Sequence, residues 1–380
     1  MLNTHDENIY RRTLTSGTIS VIRHQGQAAL ESLFDIAERR NPKRAFLFVS
    51  KVLGRHIPVF PSTMRAVFRQ LGEQFPADLA GPVVFIGMAE TAVGLGAGVF
   101  DELRARVPDA VYLTSTRHPV DGELLCEFKE AHSHATDHLL YLPSDPEMRR
   151  RVQEAQTVVL IDDEATTGNT FINLLAALRN EGGLSSLRQV VTVTLTDWSH
   201  GALAAGCPLP VLPLSLVSGK WSWEPLPDAP TPVMPQVNIT AAGTFSPSRK
   251  QTWGRLGMLE PAADLAPGVT AQPGEKILVL GSGEFVWEPF LLAERLQAMG
   301  AEVKYSSTTR SPIATGFAIQ SAIAFTDNYG LGIPNFLYNV AHQSFDRILL
   351  CAETPAESID PLLLTALKNV AGSVEIITYE

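Results

Sequence analysis

The stretch from Thr157 to Thr170 constrains this chain more than any other. The β-branched and apolar run 157–161 predicts a buried strand, Asp162 and Asp163 stand at its carboxyl end, and a turn rich in Thr and Gly then opens a helix over 171–178. In an open parallel sheet, ligands bind outside the carboxyl ends of strands, and a helix amino terminus offers N–H groups to a phosphate. The stretch therefore predicts a phosphate site beside two carboxylates.

The same residues suit a phosphorylated pentose. The two acids can accept hydrogen bonds from a vicinal diol, and Gly168 lets the backbone approach a phosphate closely. The predicted phosphate loop consists of Ala165, Thr166, Thr167, Gly168, Asn169 and Thr170. The competing interpretation is a strand followed by a capped helix, in which the acids only stabilise the helix start.

An apolar strand, two adjacent acids and then Thr-Thr-Gly-x-Thr resemble the phosphoribosyl pyrophosphate (PRPP) motif of type I phosphoribosyltransferases. The resemblance implies that Asp162 and Asp163 hold the ribose hydroxyls as catalytic residues, that 165–170 binds the 5-phosphate, and that Mg²⁺ is the cofactor. Glu164 departs from the family pattern, which usually has an apolar residue at this position.

A second strand is predicted over 82–88, and small residues after it open a helix. The turn 87–92 resembles the family's pyrophosphate loop, which uses backbone amides, although no basic residue stands there. The PRPP contacts assigned to this turn are Ala89, Glu90, Thr91 and Ala92. The alternative is that the nearby glycines, Gly94, Gly96 and Gly98, only permit tight packing of a helix on the sheet.

Cationic residues follow another predicted strand, 44–50, which comes after a helix predicted over 25–40. Lys51 and Arg55 lie in the next loop, where a binding residue would stand, and we assign both to PRPP. A solvated turn before a helix at 62–74 explains the same residues equally well.

A third strand is predicted over 110–115, and a long polar passage reaches from there to His138. We interpret the passage as a lid over the reacting ribose, with Arg117, His132 and His134 as catalytic candidates at the pyrophosphate. The run 132–138 also approaches the His-x-His-x-Asp-His pattern of dinuclear metallohydrolases but misses it by one residue, and further ligands cannot be nominated. No resident metal site is assigned.

After a strand predicted over 188–196, Trp198 either packs in the core or stacks on a base, and packing is the preferred interpretation. From 208 onward prolines accumulate, and we predict a linker or arm over 221–273, with interdomain packing for the aromatic and basic piece 245–255. A second α/β domain follows, with strands predicted over 276–280, 303–305, 347–352 and 373–378 and helices over 289–299 and 361–370.

Its loop Thr309-Arg310-Ser311 surrounds a guanidinium with hydroxyls, which suits a phosphate or carboxylate, although a solvated turn has the same composition. The segment 327–330 is either a turn or a second site element. Together with Ser50 to His56, Glu130 to Ala135 and the PRPP stretch, Thr309-Arg310-Ser311-Pro312 resembles phosphoribosyltransferases of tellurium-resistance and stress gene clusters, which carry a C-terminal TRSP-motif domain. The resemblance implies synthesis or modification of a nucleotide-like metabolite with an unidentified acceptor.

The fold class we predict is α/β, with a type I phosphoribosyltransferase-like parallel sheet domain over 1–220, the Pro-rich arm over 221–273 and a smaller TRSP-type α/β domain over 274–380. The length of 380 residues suits two domains, and the net charge of −10 argues against general nucleic-acid or anionic-membrane surfaces. Three scattered cysteines and the lack of a signal pattern lead us to expect a cytoplasmic protein.

The leading hypothesis is Mg²⁺-dependent transfer of a 5-phosphoribosyl group from PRPP to an unknown small-molecule acceptor. The alternative hypothesis is a non-catalytic regulator that senses PRPP or a nucleotide. The sequence leaves the oligomeric state open, a homo-oligomer included.

Overall fold

The computed structural model describes residues 8–39, 44–129, 138–227, 229, 239–247, 253–260 and 266–379. The first part of the chain contains β1 Ile9–Thr13, β2 Gly17–Gln25, α1 Leu30–Leu33, β3 Phe34–Glu38, β4 Phe46–Ser50, α2 Pro61–Gly72, β5 Val83–Gly87, α3 Ala92–Leu103, β6 Ala110–Thr114, β7 Leu124–Phe128, β8 His138–Tyr141, α4 Pro146–Gln153, β9 Thr157–Ile161, β10 Glu164–Ala165, α5 Asn169–Asn180, β11 Gln189–Asp197, α6 Ala202–Gly206 and β12 Val211–Pro225. The second part contains β13 Lys276–Gly281, α7 Trp287–Ala298, β14 Glu302–Ser307, β15 Ala322–Thr326, β16 Pro334–Tyr338, β17 Phe345–Ala352, a short 3₁₀ helix Ala356–Ser358, α8 Pro361–Lys368 and β18 Ala371–Thr378.

The N-terminal sheet has the order β1-β2-β12-β11-β9-β5-β6, with β10 paired to β11. Strands from β12 to β6 run parallel, and β2 and β1 extend the sheet antiparallel. Alternate residues of β5 enter opposite cores, since Val83 and Phe85 pack with α3 whereas Val84 and Ile86 pack with α5. Burial on both faces explains why these strands read as continuous apolar runs.

The C-terminal sheet has the order β14-β13-β17-β18, and all its strands are parallel. Its two faces are covered by α7 and α8, because Ile277 and Val279 pack with α7 while Leu278 and Leu280 pack with α8. The predicted α/β class, a parallel-sheet domain with a second and smaller α/β domain, is confirmed. No helix within the described ranges is long and apolar enough to cross a membrane.

The helix predicted over 25–40 is wrong. β2 continues to Gln25, α1 has four residues, and β3 pairs antiparallel with β4. Leu30, Leu33 and Phe34 have helical spacing, but Phe34 and Ile36 then alternate with polar residues as a half-buried strand does. The two periods overlap in one short window, and the pairing of β3 with β4 decides in favour of the strand.

Two irregular segments of the prediction contain strands. The passage 116–138 includes β7, which pairs antiparallel with β8. Leu125, Cys126 and Phe128 of β7 are buried. The arm predicted from 221 begins inside β12, where Trp221 pairs with Val21 and alternation with polar residues continues to Pro225. Proline density misled the prediction, since the prolines of this strand leave its pairing intact.

The two sheets share a core through α7, which packs against α2 and α3. Phe290 is fully buried, with its ring 5.5 Å from that of Phe68 and 5.4 Å from that of Trp287. Gly98 permits this contact, because a Cβ at this position would lie 2.3 Å from the Phe68 ring. Arg65 of α2 adds an ion pair to Glu294 of α7 at 2.7 Å. The second domain is therefore packed onto the first over an apolar interface.

We predict that Phe290→Ala lowers the free energy of unfolding by about 3–5 kcal/mol, because it leaves a cavity between the two domains. Urea denaturation followed by tryptophan fluorescence measures the change. Leu362→Ala is the control, since that side chain is 66% exposed and its loss should change stability by less than about 0.5 kcal/mol. A loss below about 1 kcal/mol for Phe290→Ala would contradict a shared core.

Candidate active site

Three loops of the N-terminal sheet meet at the carboxyl ends of β5, β6 and β9. Gly87 pairs with Ile161 on one side and with Thr114 on the other. The pairing continues into the loops, where the Met88 N–H donates to the Ile161 carbonyl at 3.1 Å and the Ser115 N–H donates to the Gly87 carbonyl at 3.0 Å. The residues that follow these strands therefore lie side by side, as the sequence predicts.

The predicted phosphate loop is accessible. Thr167 and Asn169 are exposed, and Thr166 and Thr170 are partly exposed. Gly168 has φ of 78° and is the N-cap of α5, so this position favours glycine. The amino terminus of a twelve-residue helix thus lies at the predicted position, where the Asn169 N–H donates to Thr167 Oγ1 at 3.4 Å.

The two aspartates lie directly before this loop and are partly exposed. The Asp163 N–H donates to Asp162 Oδ1 at 2.9 Å, and this hydrogen bond orients the Asp162 side chain. Burial raises the pKa of the Asp163 carboxyl above its ordinary value, and the Glu164 carboxylate adds to the rise. Arg44 Nη2 neutralises Glu164 at 2.9 Å, so the extra acid of the motif has its own cation.

In the turn 87–92, the Ala89 N–H donates to Ser115 Oγ at 2.9 Å, and the Ala92 N–H donates to the Met88 carbonyl at 3.0 Å. These two amides are therefore engaged within the protein. Ser115 Oγ also lies 2.9 Å from His138 Nδ1, and the His138 ring stacks on Phe128 at 4.5 Å. The predicted pyrophosphate turn is thus hydrogen-bonded to a buried serine, which in turn contacts a buried histidine.

Close packing of nearby glycines is also observed. A Cβ at Gly96 would lie 2.8 Å from the Gly87 Cα. Tight helix packing, the alternative explanation for the small residues, thus coexists with a turn whose central residues, Glu90 and Thr91, are partly exposed.

Glu90 is surrounded by cations from two domains. Arg55 Nη2 lies 3.3 Å and Arg310 Nε 3.8 Å from its carboxylate, and Thr309 Oγ1 donates to it at 3.0 Å. Burial alone would raise the pKa of Glu90, but Arg55, Arg310 and Arg117 together hold it below its ordinary value. Glu90, itself a predicted site residue, is thus surrounded by four others: Arg55, Arg117, Thr309 and Arg310.

The solvated-turn alternative is wrong for Arg55 and for the loop that contains Thr309 and Arg310. Arg55 is 3% exposed, and its Nη1 donates to the Gly283 carbonyl, Ser307 Oγ and the Thr308 carbonyl at 2.7–2.9 Å. Thr309 and Arg310 are likewise buried. Lys51 differs, because it is exposed and its Nζ donates to the Glu31 carbonyl at 2.8 Å.

Sequence reasoning missed a buried charged cluster that joins the two sheets. Arg255 donates to Glu353 at 2.7 and 2.8 Å and to Glu284 at 3.0 Å. Glu284 also accepts from Thr116 Oγ1 at 2.6 Å and from the Arg117 N–H at 2.7 Å. The available signal was position, because Glu353 directly follows one predicted strand of the second domain and Glu284 lies in the turn after another.

Two aromatic residues, His118 and Tyr329, pack against each other in the same interface. The His118 ring stacks on Tyr329 with centroids 3.7 Å apart, and both side chains are buried. Burial lowers the pKa of His118 to about 4, so this imidazole is neutral at pH 7. The segment 327–330 is a turn between β15 and β16 in which Asp327 accepts backbone N–H groups of Tyr329, Leu331 and Ile333.

The remaining predicted residues have simple outcomes. Trp198 is buried and stacks on Phe48 at 5.3 Å, which confirms packing rather than base stacking. Packing is likewise the role of Trp253, which is buried against Phe285 in the predicted interdomain piece. His132 and His134, and with them most of the proposed metal run, lie outside the described residues. Among the residues that the structure describes, no three His, Cys, Asp or Glu side chains are arranged to hold a metal ion.

A surface cavity of about 510 Å³ lies at the opposite edge of the sheet. Pro82, Gln156 and Arg188, which line it, each precede a parallel strand. This is the amino end of β5, β9 and β11, away from the predicted residues and from the edge where parallel sheets bind ligands.

Two family profiles match this sequence. One is described as a phosphoribosyl transferase and covers residues 33–220, and the other is a TRSP domain that lies C-terminal to that transferase and covers residues 255–367. The chain belongs to this two-domain phosphoribosyl transferase family. Arg255 is the first residue of the TRSP match, and Glu90 and Arg310 lie in different domains.

Among solved structures, the chain is similar to adenine phosphoribosyltransferase from Trypanosoma brucei, with 15% identity, a TM-score of 0.29, and coverage of 41% of this chain and 64% of that one, under two thirds of its length. Adenine phosphoribosyltransferase from Rhodothermus marinus has 16% identity, a TM-score of 0.32 and coverage of 49% and 94%. Orotate phosphoribosyltransferase from Aeropyrum pernix has 19% identity, a TM-score of 0.27 and coverage of 46% and 80%. No curated protein matches the sequence.

Close to the domain interface, the transferase and TRSP domains bury a further acid, Glu288, at the start of α7. Burial, followed by the nearby Glu353 carboxylate, raises its pKa from 4.5 to about 8. Between these two values the folded protein retains a proton that the unfolded chain has released. The stability contributed by this group is therefore present at low pH and is lost as the pH rises toward 8.

We predict that Glu288→Gln becomes progressively more stable relative to wild type between about pH 5.5 and about pH 8, with a slope of up to about 1.4 kcal/mol per pH unit. Urea unfolding at several pH values measures the difference. Glu302→Gln is the control, because Glu302 is exposed at the start of β14, and its profile should run parallel to wild type. A parallel profile for Glu288→Gln would show that Glu288 is ionised in the folded protein.

Proposed function

We propose that the protein transfers the 5-phosphoribosyl group of PRPP to a small-molecule acceptor. The bond between C1 of the ribose and the pyrophosphate oxygen breaks, and a bond between C1 and the acceptor forms. The observation that carries the proposal is the fold of 157–170, in which two partly exposed aspartates stand between a parallel strand and a helix amino terminus. The family match supports the same conclusion.

In this proposal each part of the site contacts a different part of PRPP. The loop 165–170 binds the 5-phosphate through N–H groups and hydroxyls, and Asp162 and Asp163 accept hydrogen bonds from the ribose hydroxyls. The turn 87–92 receives the pyrophosphate, near the charges of Arg55, Arg117 and Arg310. Catalysis then comes from positioning and from stabilisation of the leaving group, and no covalent nucleophile is required.

Magnesium fits the donors of this site. Mg²⁺ prefers one or two carboxylates together with the phosphates of a substrate and does not need a cage of protein ligands. Asp162 and Asp163 are partly exposed carboxylates beside the proposed sugar position, and we assign them to the ion. When bound, the ion would neutralise charge on the pyrophosphate. Synthesis of a nucleotide-like metabolite in the cytoplasm, within tellurium-resistance or stress responses, is part of the proposal and follows from the resemblance.

The double variant Asp162→Asn and Asp163→Asn is predicted to weaken PRPP binding by at least about 100-fold, because two charge-assisted hydrogen bonds to the ribose are lost. Isothermal titration calorimetry with PRPP and Mg²⁺ measures the change. The matched control is Glu147→Gln with Glu154→Gln, which removes the same charge from the exposed helix α4. Equal PRPP affinity in wild type and the aspartate variant would refute the proposed site.

A turnover assay distinguishes a catalytic transferase from a regulator that only senses PRPP. With PRPP, Mg²⁺ and a panel of nucleobases and other small amines, we expect release of inorganic pyrophosphate by wild type that depends on one acceptor and is abolished in the double aspartate variant. A coupled phosphate assay after pyrophosphatase treatment measures the rate. Saturable PRPP binding without pyrophosphate release for any acceptor would favour the sensing regulator instead.

A further inference from the structure

The C-terminal domain reaches into the transferase site through the loop that follows β14. We propose that Arg310 of this loop binds the pyrophosphate of PRPP, so that the TRSP domain supplies an anion ligand that the transferase loop lacks. The inference rests on the proposed function and deepens it. It starts from one contact, in which Thr309 and Arg310 meet Glu90 in the middle of the candidate pyrophosphate turn.

The two parallel sheets present their carboxyl ends to each other. Glu90 and Thr116 follow β5 and β6 of the transferase domain, and Glu284 and Arg310 follow β13 and β14 of the TRSP domain. Thr116 bonds to Glu284, and Glu90 pairs with Arg310. Carboxyl ends of parallel strands are the edges where such sheets bind ligands, so here one ligand position is bordered by both domains.

The transferase turn needs a cation from elsewhere. A pyrophosphate in the turn 87–92 would meet the Glu90 carboxylate, and this turn contains no basic residue of its own. The local charge therefore opposes the leaving group unless a guanidinium stands beside it. An arginine also matches phosphate geometry, because its planar fork can donate two parallel hydrogen bonds.

Arg55 and Arg310 both face Glu90, but their other contacts differ. Arg55 Nη1 makes three hydrogen bonds of 2.7–2.9 Å to the TRSP domain, which fix it as a link between the domains. The Arg310 side chain contacts Glu90 more loosely, at 3.8 Å, while its Nη1 donates to the Ile239 carbonyl at 2.9 Å and its Nη2 lies 3.5 Å from His118 Nε2. Exchange of Glu90 for a pyrophosphate oxygen therefore costs less at Arg310 than at Arg55.

The test uses the full chain and two separate probes in Mg²⁺ buffer, inorganic pyrophosphate and ribose 5-phosphate. In Arg310→Gln we expect the Kd for pyrophosphate to rise at least about tenfold while the Kd for ribose 5-phosphate stays within about twofold. Calorimetry measures both. An unchanged pyrophosphate affinity in Arg310→Gln, or the lack of pyrophosphate binding by wild type, overturns the proposal.

The variant Arg65→Gln distinguishes a change in domain docking from the loss of a direct contact between Arg310 and pyrophosphate. This variant removes the ion pairs between α2 and Glu294 of α7 without touching the turn 87–92. Both affinities should stay within about twofold of wild type. If Arg65→Gln weakens pyrophosphate binding as much as Arg310→Gln does, or if Arg310→Gln weakens both probes equally, the effect comes from docking and the proposal fails.

The variant Glu90→Gln should change the affinity for pyrophosphate in the opposite direction. Because Glu90 competes with pyrophosphate for Arg310, its neutralisation should tighten pyrophosphate binding by about threefold or more and leave ribose 5-phosphate binding unchanged. Equal or weaker pyrophosphate binding in Glu90→Gln contradicts the exchange. Failure of the proposed function is separate, since wild type would then bind neither PRPP nor ribose 5-phosphate.

Discussion

The structure depends on a guanidinium buried between two carboxylates. Arg255 is 1% exposed and bonds to Glu284 and Glu353, which follow two neighbouring strands of the TRSP sheet. Burial opposes the charge of Arg255, but the two acids raise its pKa well above the ordinary value. Such a cluster is costly to bury and more costly to break, because removal of Arg255 leaves two buried carboxylates without their shared cation. It therefore fixes the relative position of the sheets whose strand ends it joins.

Burial, with the Glu353 carboxylate of this cluster, keeps two neighbouring groups protonated. With two carboxylates against one guanidinium, another negative charge nearby is unfavourable. Glu288 is held protonated up to about pH 8, and the Tyr329 hydroxyl donates to Glu353 at 2.5 Å with its pKa raised. At the domain interface, burial and the neighbouring Glu353 carboxylate thus act together to retain these two protons.

Local pattern was enough to predict the part of the site formed by 157–170, since strand, acids, turn and helix are consecutive and each element follows from its own residues. Long-range contacts could not be predicted in this way. Nothing in the composition of 309–311 indicates that this loop meets Glu90, about 220 residues earlier, because that contact depends on how two separately folded sheets dock. The helix predicted over 25–40 failed for a related reason: the pairing of β3 with β4 decides between two periods that its sequence contains together.

Charge distribution explains why this docking matters. The chain has a net charge of −10, so its long-range field repels polyanions, and the proposed binding of PRPP depends on cations placed at short range. The charges of Arg55, Arg117 and Arg310 all act on the Glu90 carboxylate. Arg55 and Arg117 come from the transferase domain and Arg310 from the TRSP domain. Neither domain alone contains this combination, and apposition of the two sheets concentrates positive charge at one edge of an otherwise acidic protein.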